Sequence, residues 1–141
     1  MPACLLHISD LHVGTFEEPG VEASLQALVG QLQPELVIAT GDLTHRGRPW
    51  EHERAARFLR SLGPPVLAVP GNHDIPTFPP GRFTKPWRAF EHQWQTTEPV
   101  YRSQSLVVVG LNSVRPWRHQ SGGLSTAALR RAAERLADTP E

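Results

Sequence analysis

Three short apolar runs set the frame of this chain: CLLHIS at 4–9, LVIA at 36–39 and VLAV at 66–69. Each has the length of a strand, and stretches of helical periodicity lie between them. Residues 21–32 space Val21, Leu25, Leu28, Val29 and Leu32 along one helical face, and Pro34 stops that helix. Residues 50–62 do the same with Ala55, Ala56, Phe58, Leu59 and Leu62, before Gly63 and two prolines end it. Continuous apolar strands alternating with helices predict an α/β fold with a parallel sheet covered on both faces.

After residue 75 the rhythm changes. Residues 76–88 carry four prolines and read as a loop or lid, followed by a short helix over 89–95. Residues 100–103 and 105–112 read as neighbouring strands with a tight turn near Gln104. A loop follows, then an amphipathic helix over 125–137 with Ser125 as its N-cap. At 141 residues the whole chain reads as a single domain, 1–141.

Each of the three strands ends in a polar cluster. The first gives SDLH, with Asp10 and His12; the second gives TGDLTHRG, with Asp42; the third gives GNHD, with Asn72, His73 and Asp74. In a parallel sheet these ends share one edge, where open α/β folds bind ligands. Asp10, His12, Asp42, Asn72 and His73 are therefore expected to converge. Within that set, the two carboxylates, the His12 imidazole and the Asn72 amide oxygen suit divalent metals such as manganese, iron, zinc or magnesium. Without a cation, Asp10 and Asp42 would repel each other at close range. Gly41 and Gly71 are expected to supply backbone conformations closed to other residues.

Bulk properties narrow the class. The net charge is zero, which leaves no overall footprint for a stable nucleic-acid complex. No apolar run approaches the roughly 20 residues of a membrane span. The N-terminus has no basic leader, and Cys4 is the single cysteine, expected as a buried thiol; both point to the cytoplasm. The charge is uneven along the chain. Residues 1–74 hold five Arg against nine Asp and Glu, whereas residues 75–120 hold five Arg and one Lys against two Glu. Arg82, Lys85, Arg88, Arg115 and Arg118, with Trp87 and Trp117, could lie over the polar edge. There Arg82 and Arg115 would contact a phosphate and a Trp would stack on a base.

DLH at 10–12, GDL at 41–43 and GNHD at 71–74 resemble, in order and spacing, the N-terminal motifs of the calcineurin-like metallophosphoesterases. VIATGDLTHRG and PPVLAVPGNHDIP are most similar to the branch containing bacterial cyclic-nucleotide (class III) phosphodiesterases, as is VVVGLNSVRPW with SGGLS. The resemblance implies the N-terminal part of a four-layer α/β/β/α sandwich with an incomplete second sheet. It implies two divalent ions (manganese, iron, zinc, nickel or magnesium). Asp10 and His12 would hold one, Asp42 would bridge both, and Asn72 would hold the second. It also implies hydrolysis of a phosphodiester, a cyclic nucleotide or similar small nucleotide, by a metal-bridging hydroxide. His73 would stand near the leaving group, Asn72 and His73 would meet substrate, and Asp74 would orient His73.

The sequence departs from that pattern in its second half. The family adds metal-binding histidines there, two of them in a GHxH pattern, which this sequence lacks. Beyond residue 74 its histidines are His92 and His119, both expected at the surface. The expectation is a fragment of a longer protein, or a short form completed by self-association as a homo-oligomer. The alternative is a degenerate, non-catalytic half-domain that still binds metal or phosphate.

Overall fold

The computed structural model describes residues 3–15 and 20–137. The element order is β1 (Leu5–Ile8), α1 (Val21–Leu32), β2 (Leu36–Thr40), α2 (Pro49–Ser61) and β3 (Val66–Val69). These are followed by α3 (Gly81–Thr84), α4 (Arg88–Trp94), β4 (Val100–Arg102), β5 (Val107–Val109) and α5 (Thr126–Ala137). A single 3₁₀ turn, Asn72–Asp74, follows β3. The proline-rich stretch after residue 75 is not all loop, since it contains α3.

β1, β2 and β3 form a parallel sheet in that order, with Leu6 opposite Val37 and Ala39 opposite Ala68. Register sorts the side chains into two faces. Leu6, Ile8, Val37, Ala39, Val66 and Ala68 share one face and pack with Val29 of α1, with Ala55, Phe58 and Leu59 of α2, and with Phe90 of α4. The helices that link the strands therefore cover one face, not both as the alternation suggested. Strand order explains this: successive crossovers of the same hand, advancing in one direction across a sheet, return on the same side.

The other face is covered unevenly. Over β3 it is closed: Leu67 is buried, and Gly110, just past β5, comes so close to Val69 that a Cβ there would lie 2.7 Å from Val69 Cγ1. β4 and β5 form an antiparallel pair, with Val100 opposite Val109, and α5 packs against β5. Over β1 the face is open. Leu5 is 42% exposed and His7 is exposed: the cover that closes this face over β3 does not extend to β1 at the opposite edge. Cys4, expected to be buried, is half-buried at that edge. Leu129 and Leu136 of α5 are also exposed.

Local chemistry sets the element ends. α1 closes at Gln33, in the left-handed conformation, whose N–H bonds the Val29 carbonyl 2.8 Å away. α2 opens with Pro49 at its first position, and Glu51 Oε2 accepts the N–H of Arg48 at 3.1 Å and of Arg46 at 2.9 Å. Ser125 caps α5 as expected, its Oγ accepting the Ala128 N–H at 3.1 Å.

Candidate metal centre

The loops that leave β1 and β2 remain paired after the strands end. Asp10 N donates to Gly41 O at 3.1 Å, His12 N to Asp42 O at 2.9 Å, and Val13 N to Leu43 O at 3.0 Å. His45 N then returns to Val13 O at 2.9 Å. This ladder bends sharply: Asp10, His12 and Asp42 have φ of 59°, 46° and 52°. Asp and His are among the residue types that tolerate this left-handed region, and such clusters mark functional sites.

The third loop is pressed against the second. A Cβ on Gly71 would lie 2.2 Å from Asp42 Oδ1, and one on Gly41 would lie 2.8 Å from Gly71 Cα. Gly41 is required twice, since its φ is also +86°. Gly71 has an ordinary φ of −102°, so closeness to Asp42, not an unusual conformation, requires a glycine there. The contact positions a donor: His73 N bonds Asp42 Oδ1 at 3.0 Å.

The side chains converge on this frame. His12 Nε2 lies 3.6 Å from Asp10 Oδ1 and 3.8 Å from Asp42 Oδ2. These distances exceed a hydrogen bond, so the three ligand atoms face one another without binding one another. That donor set fits a divalent cation. Asn72 lines the adjoining cleft of about 470 Å³ with Asp10, Asp42 and Arg115, and also a neighbouring hollow of about 390 Å³ with His45 and His73.

His73 Nδ1 donates to the carbonyl of His45 at 2.7 Å. A carbonyl can only accept, so Nδ1 carries a proton, and in the neutral ring the lone pair is on Nε2. Asp74 does not orient His73. Its carboxylate is fully buried and taken up by Thr44 N (2.8 Å), Thr44 Oγ1 (2.9 Å), Gly71 N (2.8 Å) and Leu43 N (3.3 Å). Burial pushes its pKa up, against the pull of the Gly71 and Thr44 N–H groups. Asp74 thus ties the β2 and β3 loops together from below. His52 of α2 supports it in turn, its Nε2 lying 3.0 Å from Asp74 O; burial lowers the His52 pKa.

The basic segment divides. Arg115 lines the metal cleft, bonding Val114 O at 3.3 Å. Arg82 is only 6% exposed, and its guanidinium is spent on the carbonyls of Pro116, Pro76 and Arg118. It staples the loop before α3 to the loop before α5, which leaves it unfit as a phosphate contact. Trp117 stacks on Phe83 with centroids 4.8 Å apart rather than facing the cleft. His92 is exposed on α4, and His119 is exposed in the loop bordering the smaller hollow.

One residue of the site was missed by the sequence reading. His45 brings a ring nitrogen within 4.8 Å of those of His12 and His73. It follows Asp42 by three positions, past the end of any apolar run, and reaches the site because the β1 and β2 loops stay paired there. The signal for it was a histidine inside TGDLTHRG, whose backbone pairing the sequence does not display.

A family model described as calcineurin-like phosphoesterase matches residues 5–129. The chain belongs to the calcineurin-like phosphoesterase family. Members of this family generally use divalent metal ions, in keeping with the donor set found here. A probable cyclic nucleotide phosphodiesterase of Synechococcus sp. is 29% identical over 126 residues, covering 84% of this chain and 47% of the relative. A glycerophosphodiester phosphodiesterase of Enterobacter lignolyticus is 36% identical over 80 residues, covering 50% of this chain and 29% of the relative. The phosphopantetheinyl hydrolase of Mycobacterium tuberculosis shares the fold, with a TM-score of 0.50 and 18% identity, over 99% of this chain and 53% of that one. The chain thus spans about half or less of the length of these relatives. Among the described residues no helix is long and apolar enough to cross a membrane.

Proposed function

We propose that this chain serves metal-dependent hydrolysis of a small phosphodiester, a cyclic nucleotide or similar compound. The observation that carries the reading is the convergence of Asp10, His12 and Asp42 beside a cleft that Asn72 and Arg115 also line. Asp10, His12, Asp42 and Asn72 would hold the divalent ions, two in number. When bound, the ions supply Lewis acidity toward a phosphoryl group and toward water. The protein's own part is orientation and proton handling. Asp42 is fixed by the His73 amide, and the paired loops hold Asp10 and His12. His73, its Nδ1 held by the His45 carbonyl, delivers a proton from Nε2 to a leaving alkoxide when protonated. Arg115 meets the phosphate. The zero net charge favours a small nucleotide over a stable nucleic-acid complex and gives no basis for membrane attachment.

Binding without turnover is the second reading. It is favoured by the ligand inventory: beyond His73, the sequence offers His92 and His119, both exposed and outside the cluster. Hydrolysis of bis-p-nitrophenyl phosphate during titration with Mn, Fe, Zn, Ni and Mg separates the two. Metal-dependent turnover that Asp42→Asn abolishes supports the enzyme. Metal binding with no turnover under any of these ions refutes it for this chain.

A further inference from the structure

The histidines beside the cleft form a set of their own. His12, His45 and His73 come from the loops after β1, β2 and β3, and each offers a nitrogen within 4.8 Å of the other two. Ring centroids lie 4.8 Å apart for His12 and His73, 5.8 Å for His45 and His73, and 6.1 Å for His12 and His45. Two details mark these rings as ligands rather than neighbours. His73 presents Nε2 while its Nδ1–H is held by a backbone carbonyl, the arrangement that metal-binding histidines commonly show. His45 Nδ1 is shut off from solvent and has no hydrogen-bond partner, although the His45 backbone is pinned at both N and O.

We propose that His12, His45 and His73 form an all-nitrogen site for a borderline divalent ion of the zinc or nickel class, separate from the oxygen-rich set of Asp10, His12 and Asp42. Neutral imidazoles suit such ions, whereas carboxylates suit manganese and magnesium. Zinc–nitrogen bonds of about 2.1 Å require the three nitrogens to draw in by roughly an ångström, within the reach of side-chain rotation. His12 belongs to both sets, and the proposal takes its Nε2, which faces Asp10 and Asp42, as the shared ligand; one nitrogen cannot bind two ions. The two classes of ion therefore compete for it, and the cleft sorts metals by which set wins. This inference concerns binding alone and does not require that the chain turns over a phosphodiester; an ion on His73 Nε2 takes the nitrogen that the proposed proton delivery uses, so the all-nitrogen state is a non-catalytic one.

The test is calorimetric titration of the metal-free chain with Zn²⁺ and, separately, Mn²⁺, repeated on His45→Gln and Asp10→Asn. His45→Gln is expected to weaken zinc by about tenfold or more while moving manganese less than about twofold; Asp10→Asn is expected to do the reverse. Pulsed electron paramagnetic resonance of Cu²⁺ on the unaltered chain is expected to count three coordinated imidazoles. Equal shifts for both ions, an unmoved zinc affinity in His45→Gln, or a copper site with a single imidazole would overturn the proposal. If circular dichroism shows His45→Gln unfolded, the copper count decides alone.

Discussion

Thr44 gives both its amide and its hydroxyl to a single oxygen of Asp74, at 2.8 Å and 2.9 Å. The pair sits fully buried beneath the site, one member from each of two loops. Removing the acceptor leaves the amides of Thr44, Gly71 and Leu43 unpaired in the interior. Asp74→Ala is expected to cost about 3–5 kcal/mol, read as a fall in the urea midpoint. Asp74→Asn, which retains one acceptor oxygen, is expected to cost less. If Asp74 instead acted only on His73, both variants would keep wild-type stability.

Gly71→Ala is expected to damage the metal centre directly. Its methyl would lie 2.2 Å from Asp42 Oδ1 and 2.3 Å from Asp42 N, so the Asp42 ligand must move. Manganese affinity is expected to fall by about tenfold or more, the scale seen when ligand supports are lost. Gly30 of α1 is the control, because a Cβ there meets nothing within 4 Å. Gly30→Ala is expected to gain about 0.5–1 kcal/mol and to leave metal binding unchanged.

His52 gives the fold a pH dependence of definite sign. Burial holds its folded-state pKa below 6.5, so below that pH the unfolded chain takes up a proton that the folded chain refuses. Its contribution is present above about pH 6.5 and is lost as pH falls toward the folded-state pKa. Asp74, pushed up by burial, acts in the opposite sense above its ordinary value of 3.8, so the comparison must isolate His52. His52→Gln keeps a donor for the Asp74 carbonyl and cannot titrate. Urea midpoints measured from about pH 7.5 to 5 are expected to fall more steeply for the unaltered chain than for the variant. Parallel profiles would show that His52 does not titrate differently on folding.

Arg82 and Arg115 are expected to separate stability from substrate handling. Arg82→Met strands three carbonyls near the loop junction and is expected to lower stability by about 2–3 kcal/mol, with no change in KM where activity survives. Arg115→Ala, at the rim of the metal cleft, is expected to raise KM with little change in melting temperature.

What the sequence disclosed was the part governed by local pattern. The three parallel strands and the spacing of α1 and α2 followed from apolar periodicity, as did the shared edge for Asp10, His12, Asp42, Asn72 and His73. What it hid depended on pairing across loops. Nothing in TGDLTHRG shows that His45 N will meet Val13 O, and so nothing placed His45 in the site. Arg82 and Asp74 were misjudged for one reason: a charged residue near a motif reads as exposed until its partners are known. The face occupied by the helices likewise required the strand order, which pattern alone does not supply.

Gly41 and Gly71 carry a consequence for how this site can vary. Each fills a space that the other's loop closes, so replacing either one alone forces Asp42 or a neighbouring backbone aside. Single-step substitutions at these positions are blocked from both directions, and a change at one cannot be rescued by a side chain elsewhere. The two glycines form one steric unit. By contrast, Arg115 at the rim of the cleft holds no loop in place beyond its own neighbour's carbonyl, so substrate contact there can change while the loop crossing stays fixed.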